Sequence, residues 1–129
     1  MTEFSKKTFT QMIYNKLSTI TGLAVVLSQP TDESIFPCAV IGNPLTNISK
    51  TEDGVPTKIN IQVPIEYWAE SKYNCMDLSD SGDIKLRDMN LIRTNTTLDT
   101  YDTITRKYRY GSNYEVIYDA IHNAFINIR

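Results

Sequence analysis

The chain has 129 residues, of which 41% are hydrophobic and 22% are charged, and its formal net charge is −2. This length predicts a single domain over residues 1–129 that buries about two thirds of its unfolded surface, and the charge gives no general attraction to nucleic acid or anionic membranes. No apolar run approaches the ~20 residues of a membrane helix, and the N-terminus lacks a signal peptide's apolar segment, so we expect a cytosolic polypeptide.

The N-terminal third predicts one helix followed by two short strands. Apolar residues recur at helical spacing between Phe9 and Ile20, which indicates a helix from residue 5 or 8 to residue 21. Two short apolar runs, residues 23–28 and 38–41, indicate strands, and the second can continue extended as far as Ser49.

Residues 42–57 are rich in turn-forming side chains and predict a hairpin arm. An Asp-Gly dipeptide between extended stretches is typical of a hairpin turn, and Asp53-Gly54 is such a pair. We therefore place the tip of the arm near residues 51–54.

The next segment, residues 57–91, carries the clearest periodicity of the chain. Apolar and polar residues first alternate, which indicates a half-buried strand with Ile59, Ile61, Val63, Ile65 and Tyr67 on one side. The period then becomes helical, which predicts a buried helix face with Cys75, Leu78, Ser79, Gly82, Leu86 and Met89. Pro64 interrupts the strand pattern and indicates an edge or bulge position.

The C-terminal third is rich in threonine, which favours strands. We predict a strand at residues 92–97, an exposed loop at 99–104 and a strand at 107–118, and residues 119–129 fit either a strand or a helix. The resulting order is α-β-β-β-α-β-β. It indicates an α+β fold, a mostly antiparallel sheet with two helices packed on one face.

Candidate catalytic residues are few. The single histidine, His122, follows Asp119 by three residues, and a carboxylate can orient a catalytic base, but a surface histidine is the simpler interpretation. Asp77, Asp80 and Asp83 recur every three residues, yet they lack the ligand order and the glutamate of a calcium loop, so we interpret them as a solvated helix face. We therefore predict no catalytic, metal-binding or cofactor-binding residue and no enzymatic activity.

Two further groups of residues have chemical potential. Cys38 lies in an apolar run and Cys75 on the predicted buried helix face, so both are predicted to be inert core thiols. Residues 106–110 alternate basic and aromatic side chains, a combination that can bind single-stranded nucleic acid, but a solvated edge or a protein contact is favoured.

Several segments, in this order, resemble the tail terminator, or tail completion, proteins of long-tailed phages. They are the N-terminal helix, the Phe36-Pro37 dipeptide leading into CAVIG, the variable arm, the unit TKINIQVPIEYWAESKYNCMDLSDSGDIKLR and a closing antiparallel pair. The segments YWAESKYNCMDLSDSGDIKLRDMN and RTNTTLDTYDTITRKYRYGSNYEVIYDAIHNAF are most similar to members from phages of Gram-positive hosts.

The resemblance implies a structural virion protein at the neck end of the tail, assembled in the host cytoplasm. Such proteins form a ring, commonly a hexamer, that stops polymerisation of the tail tube at its head-proximal end and offers the head-tail joining interface. The implied partners are other copies of the chain, the tail tube protein and a head completion or connector protein. DNA passes through the lumen without specific binding, and no membrane or cofactor is involved.

A closed ring of identical subunits requires two different contact patches on each subunit. We expect the arm at residues 42–57 to provide one patch and the loop at 98–110 to provide the other. The predicted interface residues are Ser49, Lys50, Thr51, Glu52, Asp53, Tyr101, Arg106 and Arg109. The alternatives are another neck protein (a head completion or connector component), a small α+β enzyme or ligand-binding domain, and a nucleic-acid-binding module.

Overall fold

The computed structural model describes residues 4–31 and 34–128. Within them the chain forms two helices and a seven-stranded sheet that is mostly antiparallel, which confirms the predicted α+β class. The helices are α1 Lys6–Leu17 and α2 Lys72–Arg87. The strands are β1 Ala24–Val26, β2 Cys38–Ile41, β3 Leu45–Glu52, β4 Val55–Ala69, β5 Ile92–Asp102, β6 Lys107–Asp119 and β7 Ala124–Ile126.

The two longest strands, β4 and β6, pair antiparallel at the centre of the sheet. On its other side β4 pairs with β3 along its first half and with β2 along its second half. The side of β6 that faces away from β4 pairs with β5 at residues 107–115 and with β7 at residues 117–119. The short strand β1 extends the β2 side in parallel orientation. The edges formed by β3 and by β5 with β7 therefore lie on opposite sides of the central pair.

Both helices begin at a serine that caps the first turn. The Ser5 hydroxyl accepts a hydrogen bond from the Thr8 amide, and the Ser71 hydroxyl accepts one from the Asn74 amide, each at 3.2 Å. The first helix ends at Leu17 instead of the predicted residue 21. A local hydrogen bond competes with helix continuation there, because the Thr19 hydroxyl donates to the Lys16 carbonyl at 2.6 Å.

The main core lies between the helices and one face of the sheet. The fully buried side chains of α1 (Phe9, Ile13 and Leu17) pack with Leu86 of α2 against the alternating apolar residues of the central strands. These are Ile61, Val63, Ile65 and Tyr67 on β4 and Tyr114, Val116 and Tyr118 on β6. The predicted inward-facing side of β4 is confirmed, although Ile59 is only partly buried.

A smaller apolar cluster covers one end of the opposite sheet face. Cys38, Val40 and Trp68 are buried there, and Phe36, which precedes Pro37 through a cis peptide, packs against them. Pro64 occupies the break between the pairings of β2 and β3 with β4. Its carbonyl accepts from the Gly42 amide at 2.8 Å, and a β-carbon on Gly42 would lie 2.5 Å from the Pro64 ring. Proline has no amide hydrogen to donate, and Pro64 lies at the gap between the β2–β4 and β3–β4 pairings, where no such donor is needed.

Two predictions about the elements are wrong, and residues 119–129, which fitted either a strand or a helix, contain a strand. The order is α-β-β-β-β-α-β-β-β, because β3 is a strand of its own and a short β7 follows β6. The predicted loop at 99–104 begins only at Thr103, because β5 stays paired with β6 as far as Asp102 and Lys107. In the C-terminal segment, pairing of Ala124–Ile126 with the end of β6 prevails over the helical periodicity after Val116.

Candidate functional site

The hairpin of β3 and β4 is the most exposed part of the described chain, and residues 45–57 are termed the arm. Its turn consists of Asp53 and Gly54, with φ of 51° and 77°. Positive φ at both central residues is the signature of a type I′ turn, which matches the twist of a hairpin and favours Asp-Gly. Every residue of β3 is exposed, including the apolar Leu45 and Ile48, which keep 63% and 61% of their surface in solvent.

The arm carries five of the predicted interface residues near its tip: Ser49, Lys50, Thr51, Glu52 and Asp53. Lys50 and Glu52 form an exposed ion pair at 3.2 Å. The Asp53 carboxylate at the apex forms no ion pair with the described residues. The arm therefore presents acidic groups at its end, only one of which has a cationic neighbour on the same strand.

The hairpin of β5 and β6 projects a second tip. The Asp102 carboxylate stabilises its turn by accepting from the Thr105 amide at 2.8 Å and the Thr105 hydroxyl at 2.7 Å. These hydrogen bonds hold the pKa of Asp102 below its usual range. Arg106 adopts a positive φ of 60° and is exposed, and Tyr101 packs edge-on against Tyr108 with ring centroids 5.2 Å apart.

The two tips lie at opposite ends of the central strands. Lys58 of β4 pairs with Asp119 near the arm, whereas Ala69 pairs with Tyr108 near the second tip. At ~3.3 Å per residue, the 15 residues of β4 separate the tips by roughly 45 Å. The structure therefore brings Ser49–Asp53 together at one end of the sheet and Tyr101, Arg106 and Arg109 at the other. The predicted interface residues form two patches.

The basic and aromatic segment at 106–110 is largely neutralised within the subunit. The Arg109 side chain donates to Glu66 and stacks 5.0 Å from the centre of the Trp68 ring. Lys107 pairs with Glu70 at 3.0 Å. Of the three cations only Arg106 has no ion pair with a described residue, so Arg109 is less available for a partner than predicted, and the segment loses most of its attraction for phosphate.

A buried polar chain links α2 to the sheet. The Tyr67 and Tyr114 hydroxyls lie 3.2 Å apart, Tyr114 donates to the Asp83 carboxylate at 2.5 Å, and Arg93 lies 3.3 Å from the same carboxylate. Burial raises the pKa of both tyrosines, so both remain protonated donors. The interpretation of Asp83 as part of a solvated face is wrong, because only 9% of its surface is exposed.

Gly82 makes room for this polar chain. A β-carbon at residue 82 would lie 1.9 Å from the Tyr67 hydroxyl. The helical spacing correctly predicted that Cys75, Ser79, Gly82 and Leu86 are buried, but it gave no reason for a glycine there. The reason is the tyrosine hydroxyl, which belongs to a different element.

Beside these hydrogen-bonded side chains, at the C-terminal end of α2, lies a cleft of about 520 Å³, which is termed the arginine cleft. Its lining residues come from α2, the start of β5 and the segment after β7: Asp83, Arg87, Asn90, Leu91, Ile92, Arg93 and Asn127. The side-chain amide of Asn90 donates to the backbone carbonyl of Phe125 at 2.7 Å and thereby joins the segment after α2 to β7. Six of its seven lining residues lie within the single stretch 83–93, and only Asn127 comes from a distant part of the sequence.

His122 and Asp119 do meet, in the turn between β6 and β7. His122 Nδ1 lies 2.7 Å from one Asp119 oxygen, and the other oxygen accepts from the backbone amides of Ile121 and His122. The hydrogen bond from His122 is the main cause that lowers the pKa of Asp119. The histidine side chain is 75% exposed, so this arrangement caps a surface turn.

The two cysteines are buried and free, as predicted. Burial raises the pKa of the Cys38 thiol to about 12 and that of Cys75 to about 11, so neither is a ready nucleophile. In the part of the chain that the structure describes, no three acidic, histidine or cysteine side chains gather as a metal site. No helix among the described residues has the length and apolarity needed to cross a membrane.

Comparison with known proteins adds no relative: no family model matches the chain, and no curated protein matches it.

Proposed function

We propose that this chain is the subunit of a ring, with six copies expected, that ends a phage tail tube at its head-proximal side and forms the joining surface for the head. The proposal rests on the resemblance of its ordered segments to tail terminator proteins. The α+β fold, with a mostly antiparallel sheet and two helices on one face, is compatible with it.

The arm is the observation that carries the proposal. All eight residues of β3 are exposed, so this strand adds no side chain to the core of the subunit. Its apolar Leu45 and Ile48, together with Val55 across the turn, are left in solvent, where a partner protein could bury them. An exposed hairpin of this kind is better explained by a contact between proteins than by the stability of the isolated subunit.

The placement of the two tips also supports a ring. A contact that closes a ring joins one patch of a subunit to a different patch of its neighbour. The arm and the β5–β6 tip are different patches at opposite ends of β4, and the β3 and β5 edges face opposite sides. A two-fold dimer, by contrast, needs only one self-complementary patch.

The charge distribution supports passage of DNA without binding. The formal net charge is −2, and Lys107 and Arg109 are paired with glutamates. Tight non-specific binding requires several unpaired cations that replace counterions on phosphates, and the described surface groups few of them together.

The test is to mix the purified chain with the tail tube protein of the same phage and to image the tubes by electron microscopy. We expect rings on one end of each tube and no further elongation from that end. A particle reconstruction that placed the chain in the head connector would support the alternative neck role, and one that placed it outside the neck and the tail end would overturn the proposal.

A further inference from the structure

We propose that the acidic tip of the arm, Glu52 and Asp53, docks in the arginine cleft of the neighbouring copy. This inference rests on the proposed ring function, because it assigns the contact that closes the ring. In this contact the cleft at the end of α2 replaces the β5–β6 tip as the second ring patch, and the tip remains free for another protein.

The guanidinium of Arg93 is held in a fixed position in the wall of the cleft. Arg93 approaches Asp83 through Nε at 3.3 Å, and Asp83 is in turn held by Tyr114 at 2.5 Å. A guanidinium has five N–H donors, and the terminal nitrogens of Arg93 have no hydrogen bond with the residues described. A planar fork of this kind is suited to a carboxylate, which it can bind through two parallel hydrogen bonds.

Arg87 adds a second cation to the cleft and, unlike Arg93, has no carboxylate partner among the described residues. With Asp83 also in the lining, the formal charge of the cleft residues is +2 − 1 = +1. This net positive charge attracts the carboxylates of an acidic hairpin tip.

The arm supplies the complementary charge. Among the described residues, Asp53 at the apex of the turn has no ion-pair partner, and Glu52 beside it pairs only with the exposed Lys50. Volumes of about 300–1,000 Å³ are typical of sites that enclose a ligand, and the cleft of about 520 Å³ has room for one or two side chains of a hairpin tip.

The arm cannot reach the cleft of its own subunit. Four strands lie side by side from β3 through β4 and β6 to β5, which at ~4.8 Å per spacing is about 14 Å across the sheet. The pairing of Ile92 through Glu115 to Gln62 places the cleft about 23 Å along the strands from Val55 at the tip. The complementary groups thus lie on opposite edges of one subunit, as a head-to-tail contact requires.

Cross-linking in assembled particles tests the contact directly. The variant Asp53→Cys with Arg87→Cys should give ladders of covalently linked subunits on mild oxidation, because both native cysteines are buried. The control is Asp53→Cys with Thr103→Cys, which places the second thiol on the β5–β6 tip and should give no ladder. A ladder only in the control, or in neither variant while the chain is present as a neck ring, would overturn this inference and leave the proposed function intact.

Charge removal gives an independent measure. Asp53→Asn keeps a turn sequence that type I′ hairpins favour, so it removes the charge with little effect on the arm. Asp53→Asn and Arg87→Gln should each weaken self-association about tenfold at low salt. Asp80→Asn, an exposed aspartate on α2, should leave it unchanged. Equal affinities for all three variants and the unaltered chain would overturn the docking contact, whereas a chain that never joins a ring or a tail would overturn the proposed function itself.

Discussion

The two ends of β4 belong to one continuous strand but differ in what covers them. From Ile61 to Ala69 the alternate side chains are buried under the helices, and the Trp68 cluster covers the opposite face. Near Val55 the same strand pairs with β3, whose residues are all exposed. The sequence of a strand therefore predicts that it forms, but it does not predict whether helices or other side chains cover its faces. The covered end gives the domain its stability, and the bare end is available to another protein.

The largest expected effect lies at the covered end. Leu86 is fully buried on α2, so Leu86→Asp places an unpaired charge in the core and removes an apolar contact. We expect a loss of about 4 kcal/mol or more in the free energy of unfolding, a large part of the about 5–15 kcal/mol typical of a domain. Thermal and urea melts would then show no cooperative transition.

A matched substitution on the same helix sharpens this prediction. Ile84 keeps 61% of its surface exposed, so Ile84→Asp should change the free energy of unfolding by no more than about 0.5 kcal/mol. Similar melting of the two variants would mean that the buried face of α2 is assigned incorrectly.

A smaller effect is expected at Gly82. A β-carbon there meets the Tyr67 hydroxyl, so Gly82→Ala should cost about 2 kcal/mol even though alanine favours helices. Tyr67→Phe removes the hydroxyl oxygen, and the double variant should lose about 1 kcal/mol less than the sum of the two single variants. Strictly additive losses in urea denaturation would show that the two groups do not compete for the same space.

At the exposed end of β4, we expect a substitution to impair assembly and to leave the stability of the subunit nearly unchanged. Replacement of residues 49–55 by Asn-Gly removes only exposed side chains and leaves a short loop, Asn-Gly followed by residues 56–58, between the paired residues Ile48 and Ile59, so the free energy of unfolding should change by less than about 1 kcal/mol. Assembly should fail, because the arm is the proposed contact. The measurements are urea denaturation and the yield of joined particles when a phage lacking the gene is complemented. A normal yield would identify the arm as a passive loop.

Local patterns were sufficient for much of the fold. The period of two in β4, the helical period in α2 and the Asp-Gly pair each describe neighbours within one element, so they predicted the strand, the buried helix face and the hairpin turn. The position of Ser49 to Asp53 beside the tip of the arm followed from the same turn, and their interface role stays a prediction. The extent of β5 and the presence of β7 did not, because both depend on pairing with β6.

The features missed by the sequence are contacts between distant segments. Asp83 belongs to a run of aspartates on a polar helix, and only Tyr114 and Arg93 on other elements explain its burial. Arg109 resembles a free cation until its partner Glu66 on the adjacent strand is known. The arginine cleft takes most of its lining from residues 83–93, but this stretch carries no recognisable motif, and Asn127 joins the cleft only through the tertiary fold.

The smallest expected effect concerns the turn beside the bare end, where His122 bonds Asp119. The folded state lowers the pKa of Asp119, so its contribution to stability is present at neutral pH and is lost as the pH falls through the folded pKa, below the usual value of about 3.9. Because the hydrogen bond from His122 is the main cause, His122→Ala should shift this loss to higher pH in urea denaturation between pH 2 and 7. An unchanged acid profile would show that the bond does not act on the carboxylate.

The same substitution also tests the expectation that the chain performs no catalysis. His122 is largely exposed in a surface turn, so His122→Ala should complement a phage lacking the gene at normal yield near pH 7. Asp119→Ala should do so as well once its folding is verified, because its carboxylate caps two backbone amides of the same turn. If both variants fold but leave heads and tails unjoined, the pair has a specific role. A contact role would then be the first explanation, because a histidine that is largely exposed to solvent is well placed to meet another protein.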